Sequence, residues 1–157
     1  MANPLKMLKL KPEGFQFMLE VPIKAPPAKV WKAIFNVRGW FFFPNMPADH
    51  AKMRIEEKIG GMFTSASNDG TMSQLHGIVT RIERNKLLRI QGAMGMTHLP
   101  AQNAMIWELQ PRQDGKGTLL RFCHRGYGYI TADIKKNFMG GWKTLLPQLK
   151  KLAEKKK

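Results

Sequence analysis

The sequence predicts an α+β fold in which an antiparallel sheet packs against one long C-terminal helix. Short segments of alternating apolar and polar residues fill the middle of the chain, and Gly, Asn and Asp separate them. This pattern is typical of strands joined by tight turns, and such short connections require antiparallel pairing. Near the C-terminus the apolar residues recur three or four positions apart, which predicts an amphipathic helix. The length of 157 residues favours a single domain.

The first elements are predicted to be a strand and two short helices. Residues 15–24 alternate apolar and polar side chains, and Pro22 places this strand at a sheet edge or at a bend. A proline pair ends the strand, and the helical spacing of Val30 and Ile34 predicts a short helix after it. Residues 39–47 are expected to form a second short piece, helical or irregular, that is unusually apolar.

About six further strands are expected between the short helices and the long helix. The residues predicted to share their inner face are His76, Ile78, Thr80, Ile82, Leu88, Ile90, Met105, Trp107, Leu109, Leu120, Phe122 and His124. Arg89, Arg121 and Arg125 then lie on the outer face, because a register shift of one residue would bury these charges without partners.

The last predicted element is a helix over about residues 131–154. Its apolar stripe contains Ile134, Phe138, Trp142, Leu145, Leu149 and Leu152. Thr131 is expected to cap the helix, and Gly141 is expected to leave space beside the indole of Trp142. Pro147 lacks an amide hydrogen, so we predict a bend that widens a pocket one turn later.

The charge balance is the extreme feature of the composition. Lys and Arg number 26 against 11 Asp and Glu, which gives a net charge of +15. Such a charge attracts polyanions and anionic membrane surfaces, and the outward Arg81, Arg89, Arg121 and Arg125 are candidates for a basic patch. Sequence-specific nucleic-acid binding is not expected, because no aromatic residues are interleaved with these arginines to stack on bases.

A single cysteine, Cys123, excludes an internal disulfide and a CxxC metal or redox motif. The N-terminal residues lack the continuous apolar core of a signal peptide, and no apolar run approaches the roughly 20 residues that cross a bilayer. We therefore expect a cytoplasmic protein with no metal or other cofactor.

Several short motifs follow one another in a familiar order. They are Ala-Pro-Pro-Ala-Lys-Val-Trp-Lys-Ala at 25–33, Trp40, Gly60-Gly61, Gly-Ile-Val at 77–79, Gly-Thr-Leu-Leu at 117–120 and Gly141-Trp142. This order resembles the START-like or SRPBCC superfamily, and within it the bacterial branch similar to chaperone-ATPase activators and polyketide cyclases. The resemblance divides the chain into an N-terminal extension (1–13), one START-like domain (14–154) and a basic tail (155–157).

The resemblance implies a helix-grip fold, in which a curved seven-stranded antiparallel sheet wraps around the C-terminal helix and two short helices follow the first strand. Apolar ligands usually occupy the cavity between sheet and helix in this superfamily. We therefore expect binding of a hydrophobic or amphipathic small molecule, either lipid-like or aromatic. The alternatives are a cyclase-like enzyme with a cavity histidine, and non-specific polyanion binding. Chaperone activation is not expected, because the eukaryotic form has a preceding domain for which this chain leaves no room.

The candidate ligand-binding residues combine the inner strand face with the helix stripe. They are Trp40, His76, Ile78, Ile90, Met105, Trp107, Phe122, His124, Phe138, Trp142 and Leu145. His76 and His124 are either neutral histidines paired inside the cavity or groups that orient a ligand oxygen. Residues 40–43 are four successive large aromatics, so at least one is expected to be exposed or to line a portal.

Overall fold

Seven antiparallel strands form one sheet in the order β1-β7-β6-β5-β4-β3-β2. The computed structural model describes residues 7–156. The strands are β1 (Glu13–Ile23), β2 (Lys52–Ile55), β3 (Met62–Ala66), β4 (Ser73–Glu83), β5 (Leu87–Gly92), β6 (Ala101–Pro111) and β7 (Thr118–Gly128). The helices are α1 (Pro27–Phe35) and α2 (Ala132–Ala153), with single 3₁₀ turns at Val37–Gly39 and Ala48–His50. This architecture confirms the predicted α+β helix-grip fold.

The first strand lies at an edge of the sheet, which confirms one of the two positions that Pro22 predicts. β1 pairs with β7 alone, so it is an edge strand, and Pro22 faces Leu119 there without having to donate to a second neighbour.

The predicted extension (1–13) and tail (155–157) lie partly outside the described residues, so these two boundaries stay predictions. Within residues 7–156, no helix is long and apolar enough to cross a membrane.

The long helix forms where its apolar stripe predicts it. The hydroxyl of Thr131 accepts a hydrogen bond from the amide of Ile134 at 3.2 Å, which confirms the cap. Pro147 lies on the exposed side within α2. The prediction of a wider pocket beyond Pro147 is wrong, because Leu149 and Ala153 are buried in the main core at that end.

The predicted register is correct in β5, β6 and β7. Leu88, Ile90, Met105, Trp107, Leu120, Phe122 and His124 are all fully buried. Trp107 faces Phe122 across the β6–β7 pair, and the two rings lie 5.0 Å apart. Arg89 and Arg125 alternate with these residues and are exposed, which keeps their charges in water.

The predicted register of β4 is wrong in the middle of the strand, at Ile78 and Thr80, whereas His76 is buried and Ile82 packs against the core as predicted. Val79 is buried opposite Ile90, whereas Ile78 pairs with the exposed Gln91 and Thr80 is exposed. The cause is a pair of register shifts, one against β3 and one against β5. Each shift adds an unpaired residue, which reverses the alternation of side chains between the two faces of a strand. The first shift occurs at His76, whose side chain remains buried.

Candidate functional site

A cavity of about 350 Å³ lies between the N-terminal half of α2 and the β2–β4 end of the sheet, and it is partly open to solvent. The segment that connects α1 to β2 and the connection after β5 complete its wall. The lining residues are Phe41, Phe43, His50, Met53, Phe63, His76, Met94, Gly95, Met96, Ile134, Asn137, Phe138, Gly141, Trp142 and Leu145. The wall is therefore mostly aromatic or thioether, and two imidazoles belong to it.

The structure places the predicted site residues in three locations. His76, Phe138, Trp142 and Leu145 line the cavity. The other inward residues, Trp40, Ile90, Met105, Trp107, Phe122 and His124, are completely buried outside its lining, while Ile78 lies on the opposite face of β4. The physical reason is that large rings fill the space under β6 and β7, where the tilted rings of Trp142 and Phe122 have centroids 4.2 Å apart. Contact between any of these residues and a ligand stays a prediction.

The four successive aromatic residues 40–43 point in different directions. Trp40 is buried and donates its indole N–H to the carbonyl of Ile34 at 3.1 Å. Phe41 and Phe43 line the cavity, and the intervening Phe42 is 49% exposed. The expectation that at least one of these rings is exposed or lines a portal is therefore confirmed.

His124 belongs to a closed hydrogen-bond chain. The indole N–H of Trp142 donates to its Nδ1 at 3.0 Å, so the ring proton lies on Nε2, which donates to Oδ1 of Asn103 at 2.8 Å. The amide of Asn103 then reaches the carbonyls of Gly92 and Ala93 at 3.3 and 3.4 Å. This chain ties α2 to the connection after β5, which forms one edge of the cavity.

Burial lowers the pKa of His124 from 6.5 to about 4, so its ring is neutral at pH 7. Both ring nitrogens already have protein partners, and neither is free to exchange a proton with a ligand. The hydrogen bonds of His124 therefore position Trp142. A cyclase-like enzyme would have no available acid or base in this histidine.

His76 differs from His124 because only one of its nitrogens is occupied. Nε2 lies 2.7 Å from the hydroxyl of Ser65, and no described residue is hydrogen-bonded to Nδ1. Burial, and then the nearby His50, lower the pKa of His76 to about 4, while Asp49 opposes this. The ring is consequently neutral at pH 7 and keeps one nitrogen available on the cavity wall.

His50 also lines the cavity, although it was not among the residues predicted for the site. Its Nδ1 lies 2.9 Å from a carboxylate oxygen of Asp49, and its ring centroid lies 5.4 Å from that of His76. A short 3₁₀ turn, which has no long periodic pattern, places it there. Among residues 7–156, no three His, Cys, Asp or Glu side chains converge as metal ligands would.

The outer sheet face has a groove of about 960 Å³ that three of the four predicted arginines line, whereas Arg81 lies outside it and is paired with Glu83 at 3.2 Å. Arg121 lies 3.7 Å from Glu20 and 3.6 Å from Glu108, so part of the positive charge is paired. Arg89 and Arg125 line the same groove. This face is a mixed ionic surface, which is less suited to polyanions than its arginines alone indicate.

A sheet that grips a C-terminal helix and encloses a side cavity defines a START-like, or SRPBCC, protein. The family model described as "Activator of Hsp90 ATPase homolog 1-like protein" matches residues 24–154, and the chain belongs to this family. No curated protein matches the chain.

Solved structures share the fold at low identity. A putative uncharacterized protein from Rhizobium leguminosarum is 17% identical with a TM-score of 0.72, covering 95% of this chain and 100% of its own. An AHSA1-like protein from Aeromonas hydrophila is 18% identical with a TM-score of 0.60, and the match covers 89% of this chain and 92% of the Aeromonas protein. The di-domain ARO/CYC StfQ from the steffimycin biosynthetic pathway is 12% identical with a TM-score of 0.59. The match covers 90% of this chain and 49% of StfQ.

Proposed function

We propose that the protein binds one small hydrophobic or amphipathic molecule in the cavity beside the N-terminal half of α2. The observation that carries this proposal is the cavity itself, whose 350 Å³ falls in the range typical of small-molecule sites. Seven of its fifteen lining residues are Phe or Met, which offer apolar contact, and the methionines adapt to ligand shape. The neutral His76 adds a polar atom without the cost of burying a charge.

Two adjacent glycines of α2 allow a matched test. A Cβ at Gly141 would point into the cavity and meet only the ring of Phe43, at 3.7 Å. A Cβ at Gly140 would meet nothing within 4 Å, and that residue is exposed. Gly141→Leu therefore fills the cavity with a side chain, whereas Gly140→Leu makes the same chemical change on the solvent side.

The probe is N-phenyl-1-naphthylamine, which is uncharged at neutral pH and so is not attracted by the net charge of +15. We expect its fluorescence to rise with the native protein and with Gly140→Leu, and to stay near the buffer level with Gly141→Leu. Equal binding by the two variants would contradict the cavity as the site, and no binding by the native protein would contradict the proposal.

A cyclase-like enzyme is the second candidate, and one specific observation favours it. His50, which lines the cavity, is paired with the carboxylate of Asp49, and a carboxylate–imidazole pair is the arrangement of a general base. Turnover of a polyketide-like substrate that is lost in His50→Phe and retained in His124→Gln would favour the enzyme. Stoichiometric binding without turnover favours the binding protein.

We also propose exchange of the ligand at an anionic membrane surface in the cytoplasm. Phe42 is exposed beside two cavity residues, and the chain carries a charge of +15. Phe42→Ser is expected to weaken sedimentation with phosphatidylserine vesicles. Leu75→Ser, which changes an apolar residue of similar exposure on β4, is the control, and an equal effect of both variants would contradict the proposal.

A further inference from the structure

We infer that one end of this cavity is a subsite for a single hydroxyl group, formed by His50 and His76, and that the ligand is an aromatic alcohol of the phenol class. This inference rests on the proposed function, because it concerns the chemistry recognised by the same cavity. It follows from the proton positions on the two imidazoles and from the rings that surround them.

The hydroxyl of Ser65 determines the proton position on His76. Ser65 is completely buried, and the ring of His76 is its one side-chain hydrogen-bond partner among the described residues. A buried hydroxyl that donates to Nε2 is satisfied, whereas one that only accepts leaves its own proton without a partner. The satisfied arrangement puts the ring proton on Nδ1, so His76 presents a donor to the cavity.

Asp49 determines the proton position on His50. A carboxylate can only accept, so the contact of 2.9 Å places a proton on Nδ1 of His50. An imidazole whose single proton lies on Nδ1 has a bare Nε2, which is an acceptor, and no described residue is hydrogen-bonded to the Nε2 of His50. The two imidazoles on the cavity wall are therefore one donor and one acceptor.

One hydroxyl group satisfies both rings, because it accepts from His76 and donates to His50. The ring centroids are 5.4 Å apart, a separation that allows one oxygen beside the two rings to lie about 2.8 Å from a nitrogen of each. A carbonyl oxygen can accept from His76 but cannot donate to His50. A carboxylate likewise has no proton to donate to His50, and its negative charge would lie near that of Asp49.

The groups next to this polar end favour an aromatic ligand. The ring of Phe63 lies 5.2 Å from that of His76 in an edge-on arrangement, and Phe41 lies 6.2 Å from Phe63. A ring that carries the hydroxyl therefore extends along these two phenylalanines. Gly95 leaves the approach open: its φ is +82°, and a Cβ there would lie 3.9 Å from Nδ1 of His76.

The test compares 2-naphthol with 2-methylnaphthalene, which has almost the same shape but no hydroxyl. Without the subsite, the methyl compound binds more tightly because it is more hydrophobic. With the subsite, we expect calorimetry to show 2-naphthol binding about tenfold more tightly to the native protein. His50→Phe is expected to reverse this preference and to retain 2-methylnaphthalene. His98→Phe, at an exposed histidine, should leave the preference intact.

The outcomes separate the inference from the proposed function. Binding of both compounds with 2-methylnaphthalene favoured by the native protein would overturn the hydroxyl subsite and leave the cavity proposal standing. A preference for 2-naphthol that survives in His50→Phe would also overturn it. Binding of neither compound would overturn the proposed function together with the inference. His76→Phe is a second variant that should lose the preference.

Discussion

Acid should destabilise the protein through His124, and the structure indicates the size of the effect. The unfolded chain takes up a proton on this histidine near pH 6.5, whereas the folded protein does so only near pH 4. The unfolded state therefore binds more protons between these values, and stability falls as the pH is lowered through this window. A pKa lowered from 6.5 to about 4 corresponds to roughly 3 kcal/mol lost by pH 4.

The variant His124→Gln isolates this contribution because glutamine does not titrate. At pH 7 we expect it to be less stable than the native protein by about 1–3 kcal/mol, since the donor of Trp142 and the acceptor of Asn103 lose their shared partner. The difference in stability should shrink by about 2 kcal/mol between pH 6.5 and pH 4.5, because only the native sequence has a histidine here that binds a proton more readily in the unfolded state. His76 contributes equally to both proteins and cancels.

Urea unfolding at several pH values between 7 and 4.5 measures the gap directly. His98→Gln, which removes an exposed histidine, serves as the control. A gap that stays constant over this range would refute the reasoning, because His124 would then have the same protonation in the folded and unfolded states. A gap that widens on acidification would mean that the folded state favours the charged ring.

Three further predictions concern substitutions of single residues and are checked by urea unfolding. Gly92→Ala is expected to destabilise the protein by about 1–3 kcal/mol, because a Cβ there would overlap the carbonyl of His76; a neutral effect would contradict this close approach of β4 and β5. Gly140→Ala meets open space in α2 and should stabilise by about 0.5–1 kcal/mol, so destabilisation would contradict its placement. Thr131→Ala should cost about 1 kcal/mol through loss of the cap on Ile134, whereas Thr131→Ser should cost little.

The inward-facing residues of the sheet could be predicted in strands whose apolar and polar residues alternate without interruption. In β5 to β7 the charged residues Arg89 and Arg125 mark the outer face, so only one register avoids burying them. β4 could not be predicted this way, because its register shifts arise from its neighbours. Gly77 lies close to Ile90, and such contacts between strands leave no trace in the alternation of β4 itself.

The candidate site could be predicted on its helical side and much less on its sheet side. Phe138, Trp142 and Leu145 line the cavity because helical spacing places them on one face. Which inward strand residues leave space depends on how large rings pack, and Trp142 and Phe122 fill the region under β7. His50 comes from an irregular connection, where no periodicity indicates which side chains turn inward.

The methionine methyl groups offer the most direct test of the central claim, because they report from both candidate surfaces. Met53, Met94 and Met96 line the cavity, Met72 is exposed, and Met18 lies in the groove on the outer sheet face. With ¹³C-labelled methionine and N-phenyl-1-naphthylamine, we expect NMR shifts of the three cavity methyl groups and none for Met72 or Met18. Shifts at Met18 without shifts in the cavity would contradict the account and place binding on the outer face.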